Sequence, residues 1–351
     1  MTTLRTLALL ASLLITLGAC GPQSAPTPTA PKVLNLFIWE EYLDPALKAD
    51  FEKETGIKVV EANYGSNEDM LAKLQAGGGF DVVVPSDYMV QVMRRMNLLE
   101  KLDHSRLPHL ANVDPFFRKF KYDPGYDHAI PFQWTATGFG YNSKSVKNPP
   151  ASWSDVLDPV KARALKGRLS MLNDPREVIG GALIFLGFSP NTIRPEELAK
   201  AEAVLLAQKP LLAKYDNESF EDSLASGETL VAHGWAGEFA TAQTDNPDLR
   251  FALPKEGAIL SVDNLAIPVS SKNRDAAYLF IDYLLRAEIA VKVAEYSLYG
   301  SANAAALPQL APELRNGIGF TRPEGFAFHQ IEDLGENTAL YDKIWSRLKS
   351  E

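Results

Sequence analysis

From Lys32 onward the chain alternates short runs rich in β-branched residues with amphipathic segments, and this alternation restricts the fold more than any other feature. Strands separated by helices join one sheet through crossovers, so the pattern predicts an α/β protein with parallel strands. The first run, Val33 to Phe37, leads into Ile38-Trp39-Glu40-Glu41-Tyr42 and then into Asp44-Pro45. Asp44 is suited to cap a helix, Pro45 to take its first position and Gly56 to close it. A strand over 57–60, a helix over 67–75, a strand over 81–86 and a helix over 88–96 follow. Gly77-Gly78-Gly79 between them lacks a following Lys-Ser/Thr and precedes a strand, so it reads as a turn and not a phosphate loop.

Residues 1–20 stand apart from this pattern. Arg5 supplies a basic start, Leu7 to Leu17 an apolar stretch too short for a comfortable membrane span, and Leu17-Gly18-Ala19-Cys20 ends it in small residues. The chain's one cysteine in that position predicts a lipoprotein signal with lipid attached at Cys20. A single thiol also rules out an internal disulfide, so a hydrophobic core must hold the fold. Residues 21–31 carry prolines among Ser, Thr and Ala without apolar periodicity, the composition of a flexible tether. The remaining roughly 320 residues are large for one core and comfortable for two lobes. Net charge is −9, and −10 without Arg5, which disfavours nucleic acid and mildly favours a cationic ligand.

Several acids and aromatic rings fall at strand ends, where open α/β sheets bind ligands. Trp39, Glu40, Glu41 and Tyr42 follow the first strand, and Ser86, Asp87 and Tyr88 follow another, so the two turns can converge, Ser86 also being placed to cap the next helix. Carboxylates beside ring faces suit an organic cation, each cation–ring contact contributing roughly 0.5–2 kcal/mol. Residues 130–141 read as a strand passing from one lobe to the next, and Trp153 as a core residue of a short helix. Asp174-Pro175-Arg176-Glu177 has the form of a capping box, which by itself needs no ligand. Trp235 ends a strand on which His233 reads as a packed histidine. Asp263 interrupts the apolar run 259–268 with no Lys or Arg near it in sequence, and a charge there is costly unless paired.

Together Trp39-Glu40-Glu41-Tyr42, the run 51–59, Asp81 to Ser86, Asp174 to Glu177 and Asp263 to Pro268 resemble the spermidine/putrescine-binding proteins of polyamine ABC transporters, over essentially the whole chain from Val33. The resemblance implies a periplasmic-binding-protein type II fold: two α/β lobes joined by two crossing hinge segments, with a ligand cleft between them. It divides the chain into 32–138 plus 264–306 for one lobe and 139–263 plus 307–351 for the other. It implies a polyamine, spermidine or putrescine, held by Trp39, Glu41, Tyr42, Ser86, Tyr88, Asp174, Glu177, Trp235 and Asp263, with a glutamine at Gln330 or, one residue out of register, Ile331 in its place. It further implies no cofactor, no metal and no catalysis. The partners would be transporter permease subunits and, through Cys20, a bacterial membrane, for a monomer in the periplasm or at the cell surface. Departures stand at Ser261, where the family often has a tryptophan, and at Glu40, where it has a small hydroxyl residue. The competing expectations are a binding protein for a sugar, an amino acid or another cation, and a secreted hydrolase working with Glu41 and Asp263. The sequence has no Gly-x-Ser-x-Gly or His-Glu-x-x-His to support the latter.

Overall fold

The structure, a computed structural model, describes residues 32–350; the leader, Cys20 and the tether lie outside the described residues. The chain opens with strand β1 (Val33–Trp39), helix α1 (Pro45–Thr55), β2 (Lys58–Tyr64), α2 (Asn67–Gln75), β3 (Val82–Val83) and α3 (Asp87–Arg95). The long strand β4 (Ala129–Asn142) leads to α4 (Ser154–Leu157), β5 (Leu169–Met171), α5 (Pro175–Phe185), α6 (Pro195–Gln208), β6 (Leu212–Tyr215), α7 (Phe220–Ala225), β7 (Val231–Trp235), α8 (Ala236–Asp245) and β8 (Leu249–Ala252). Strand β9 (Ala258–Ala266) is followed by α9 (Arg274–Leu284), α10 (Ala287–Ser297), β10 (Gly300–Ser301), α11 (Pro312–Arg315), β11 (Phe328–His329) and α12 (Thr338–Ser350). None of the described helices is long and apolar enough to cross a membrane.

Local chemistry accounts for the first of these elements. Asp44 accepts a hydrogen bond from the Ala46 amide, Pro45 fills the first helical position, and Gly56 closes α1 at φ 70°, a left-handed conformation that a side chain disfavours. Strand β2 runs four residues past the expected 57–60 because it pairs in parallel with the full length of β1, from Val33 opposite Lys58 to Trp39 opposite Tyr64. Of the expected strand 81–86 only Val82 and Val83 make strand β3; the rest turns toward α3.

The sheet order is β2-β1-β3-β9-β4-β7-β5-β6. Strands β1, β2 and β3 are mutually parallel where they pair, as are β5 with β6 and β7. The expectation of parallel strands fails at the centre, where β9 is antiparallel to β3 and β4, and β4 to β7. The reason is the path of the chain. Two large hydrophobic cores hold the described residues, one built from Leu34 to Ala136 with Leu260 to Ala302, the other from Phe139 to Ile259 with Ile331 to Leu348, beside a small cluster of Ala294, Leu310 and Phe320. Strand β4 carries the chain out of the first core and β9 carries it back, so neighbouring segments must run in opposite directions. Small residues in β4 admit the second core to close approach: a Cβ at Gly140 would lie 2.2 Å from the Phe239 ring. Trp153 and His233 are fully buried and stack edge-on at 5.3 Å, so both are packing residues, as expected; burial holds the His233 imidazole down to about 3.

Candidate ligand-binding site

A cavity of about 550 Å³ lies where residues of both cores meet, a size within the usual range of roughly 300–1,000 Å³ for small-molecule sites. Its rings come from five elements or their ends. Trp39 ends β1 with its indole N–H donating to the Val84 carbonyl (3.0 Å), which fixes the ring plane. Tyr64, at the matching end of β2, packs on Trp39 with the rings tilted at 4.7 Å, and Tyr42 meets Tyr299 at 5.2 Å. Tyr88 on α3 donates to Glu68 on α2 (3.0 Å), and Trp235 ends β7. All six rings line the cavity.

Eight carboxylates line it as well: Glu40, Glu68, Asp87, Asp174, Glu177, Glu218, Glu238 and Asp263, with no Lys, Arg or His among the lining residues. Asp263 is 6 % exposed and takes hydrogen bonds from the hydroxyls of Tyr42 (2.5 Å) and Ser86 (2.7 Å). Burial raises its carboxyl to about 6, the two hydroxyls offsetting part of that shift. Glu177 is 2 % exposed; one oxygen accepts a long bond from the Trp235 indole (3.4 Å) and the other has no hydrogen-bond partner. Burial, then the neighbouring charge of Asp174, raises Glu177 to about 8. Asp174 is raised by burial against the pull of the Arg176 and Glu177 amides that it caps, at 2.7 and 3.1 Å. Tyr299 donates to Glu238 (2.5 Å), tying the rings of the first core to an acid of α8.

The structure brings Trp39, Tyr42, Ser86, Tyr88, Asp174, Glu177, Trp235 and Asp263 to the cavity and leaves two expected residues out. Glu41 sits at φ 56° in the turn after β1, is exposed and does not line the cavity. The left-handed turn brings its neighbour Glu40 to the lining instead. Gln330 donates to Asp87 (2.5 Å) and is outside the lining, while Ile331 is in it. Two local expectations also change. Ser86 precedes α3 but its hydroxyl makes no cap, because it is spent on Asp263 and held by Asn67 (3.0 Å). The capping box is half formed: Asp174 caps, but Glu177 turns to Trp235 and the cavity. Tyr64, Glu68, Thr135, Glu218, Glu238 and Tyr299 were not legible as site residues, since each lies on an element whose proximity only the fold creates.

Eight acids without a base repel an anionic guest and leave an uncharged one with unpaired carboxylates, so the arrangement suits a cation, with rings to cover its apolar parts. Similar proteins bind such guests. The chain is 36% identical over 323 residues to a spermidine/putrescine-binding periplasmic protein of Escherichia coli, covering 90% of this chain and 91% of that one. It is 34% identical over 335 residues to a putrescine/cadaverine-binding protein of Pseudomonas aeruginosa, with 92% and 94% covered. The crystal structure of a spermidine/putrescine ABC transporter substrate-binding protein from Streptococcus pneumoniae superposes with a TM-score of 0.84 at 30% identity, covering 91% of this chain and 98% of that one. Residues 46–316 match the family of bacterial extracellular solute-binding proteins, and the chain is a member of that family.

Proposed function

We propose that this protein is the polyamine-capturing component of an ABC importer, taking a linear diamine or triamine into the acidic, ring-lined cavity and delivering it to the membrane permease. The observation that carries the reading is the lining itself, with eight carboxylates, six aromatic rings and no basic side chain. At an effective dielectric near 20, a carboxylate–ammonium contact at about 4 Å is worth roughly 4 kcal/mol before desolvation. Cations that meet acids from both cores therefore bind much better than those that meet one. Trp39, Tyr42, Tyr88 and Trp235 would cover the methylene chain, and Asp174, Glu177 and Asp263 would meet the ammonium groups. The relatives are transport proteins, which speaks against the hydrolase, and an amino acid would bring its own carboxylate into a site with nothing positive to receive it.

In this reading the lobes divide at 32–138 plus 264–306 and 139–263 plus 307–351, and a ligand that contacts both favours the closed arrangement because only that arrangement offers both sets of acids. Cys20 is the lipid attachment site and 21–31 the tether, holding a monomer at the outer side of a bacterial membrane. The test is thermal unfolding of residues 32–351, refolded to strip carried ligand, with putrescine, cadaverine, spermidine, a panel of sugars and a panel of amino acids. The reading expects a raised melting temperature with amines alone; a rise with a sugar or an amino acid and none with the amines would overturn it.

A further inference from the structure

Asp87 opens α3, a position where an acid ordinarily stands in solvent and favours the helix dipole. This one is 2 % exposed and faces the cavity. Its oxygens accept from the Tyr88 amide (2.9 Å) and from Gln330 (2.5 Å), and no Lys, Arg or His of the described residues pairs with it. The adjoining Ser86 is bridged to Asp263 both through its backbone and through its hydroxyl. The charge of Asp87 also acts on Glu177, adding to the upward shift there, while that of Asp263 acts on Asp87. Asp87 thus follows directly on the residue that holds Asp263 and lines the same cavity as Asp263 and Glu177.

The lining acids fall into two groups. Glu40, Glu68 and Glu218 are exposed and Asp174 and Glu238 half-buried, whereas Asp87, Glu177 and Asp263 are buried without a cationic partner. Around Glu177 the protein offers only neutral donors, the Trp235 indole and the Thr137 hydroxyl, and no paired cation. Water solvates the outer acids at little cost; the inner three can be ionised together only with positive charge brought beside them. A diamine carries two charges and a linear triamine three, the third between its ends.

We infer that Asp87 is a specificity-determining carboxylate, which meets the inner ammonium group of a linear triamine and so favours triamines over diamines. The inference rests on the polyamine reading above. Gln330 then acts as a positioning residue, holding the Asp87 carboxylate from the second core's side of the cavity.

The experiment is calorimetric titration of the stripped protein with spermidine and with putrescine, for the unaltered chain, Asp87→Asn and, should that variant fold poorly, Asp87→Ser. The expected result is tighter spermidine binding in the unaltered chain. In either variant spermidine affinity should fall about tenfold or more while putrescine affinity falls less than about threefold. A structural role would lower both affinities by one factor, and that result, or no change in either, would overturn the inference while leaving the polyamine reading intact. An unaltered chain that binds neither amine would overturn the polyamine reading, and this inference with it.

Discussion

Asp81 and Asp263 are both aspartates in apolar strand surroundings, both buried at 1 % and 6 % exposure, and both without a Lys or Arg partner. They differ in what the fold supplies. Asp81 accepts from the amide and side chain of Asn35, from the Ser271 hydroxyl, and from the amide and side chain of Asn273. This set ties β1 to the start of α9 and closes the carboxylate off from any guest. Asp263 accepts from two hydroxyls and lines a cavity. A buried charge surrounded by neutral donors on every side is a structural fastener; the same charge with a short donor set and an open face awaits a cation.

The largest effect that would test this contrast is on stability. Asp81→Ala leaves the donors of buried Ser271, half-buried Asn35 and exposed Asn273 without their acceptor, and should cost about 3–5 kcal/mol in urea unfolding while ligand affinity in the folded protein stays unchanged. Asp263→Asn should do the reverse, weakening polyamine binding by about 2–5 kcal/mol in calorimetry with no loss of ligand-free stability. If Asp263→Asn unfolds the protein and spares affinity, the two aspartates do not differ as described. Tyr42→Phe removes one of the two donors to Asp263 and should weaken binding by about 0.5–1.5 kcal/mol, read by the same titration. Glu41→Gln should change affinity by less than about 0.5 kcal/mol, since Glu41 lies outside the lining; a larger loss would restore it to the site.

Much of this was written locally in the sequence. The caps of α1 at Asp44 and Gly56, the bounds of α2, the packing of Trp153 and His233 and the isolation of Asp263 all follow from neighbours along the chain. What could not be read depends on rotation or distance. Whether Glu40 or Glu41 meets the cavity is decided by one left-handed residue. Asp87 falls in the turn between Ser86 and Tyr88, but its contact with Gln330, 243 residues away, exists only in the fold. The donors that set Asp81 apart from Asp263, on Ser271 and Asn273, lie 190 and 192 residues off along the chain.

The acids of the cavity also leave a signature in pH. Glu177, at about 8, and Asp263, at about 6, hold protons that an unfolded chain releases near 4.5 and 3.8. The folded protein therefore binds more protons than the unfolded chain between those values, and its ligand-free stability falls as pH rises from about 4 to about 8. A polyamine, itself charged throughout that range, must drive the same protons off. The most direct measurement is the heat of spermidine binding at about pH 6.5 in buffers of different ionisation enthalpy. The account predicts saturable binding with net proton release, so that the observed heat varies with the buffer. Binding heat that is the same in every buffer, or no binding in any, would contradict the claim that these carboxylates receive the ligand's charge.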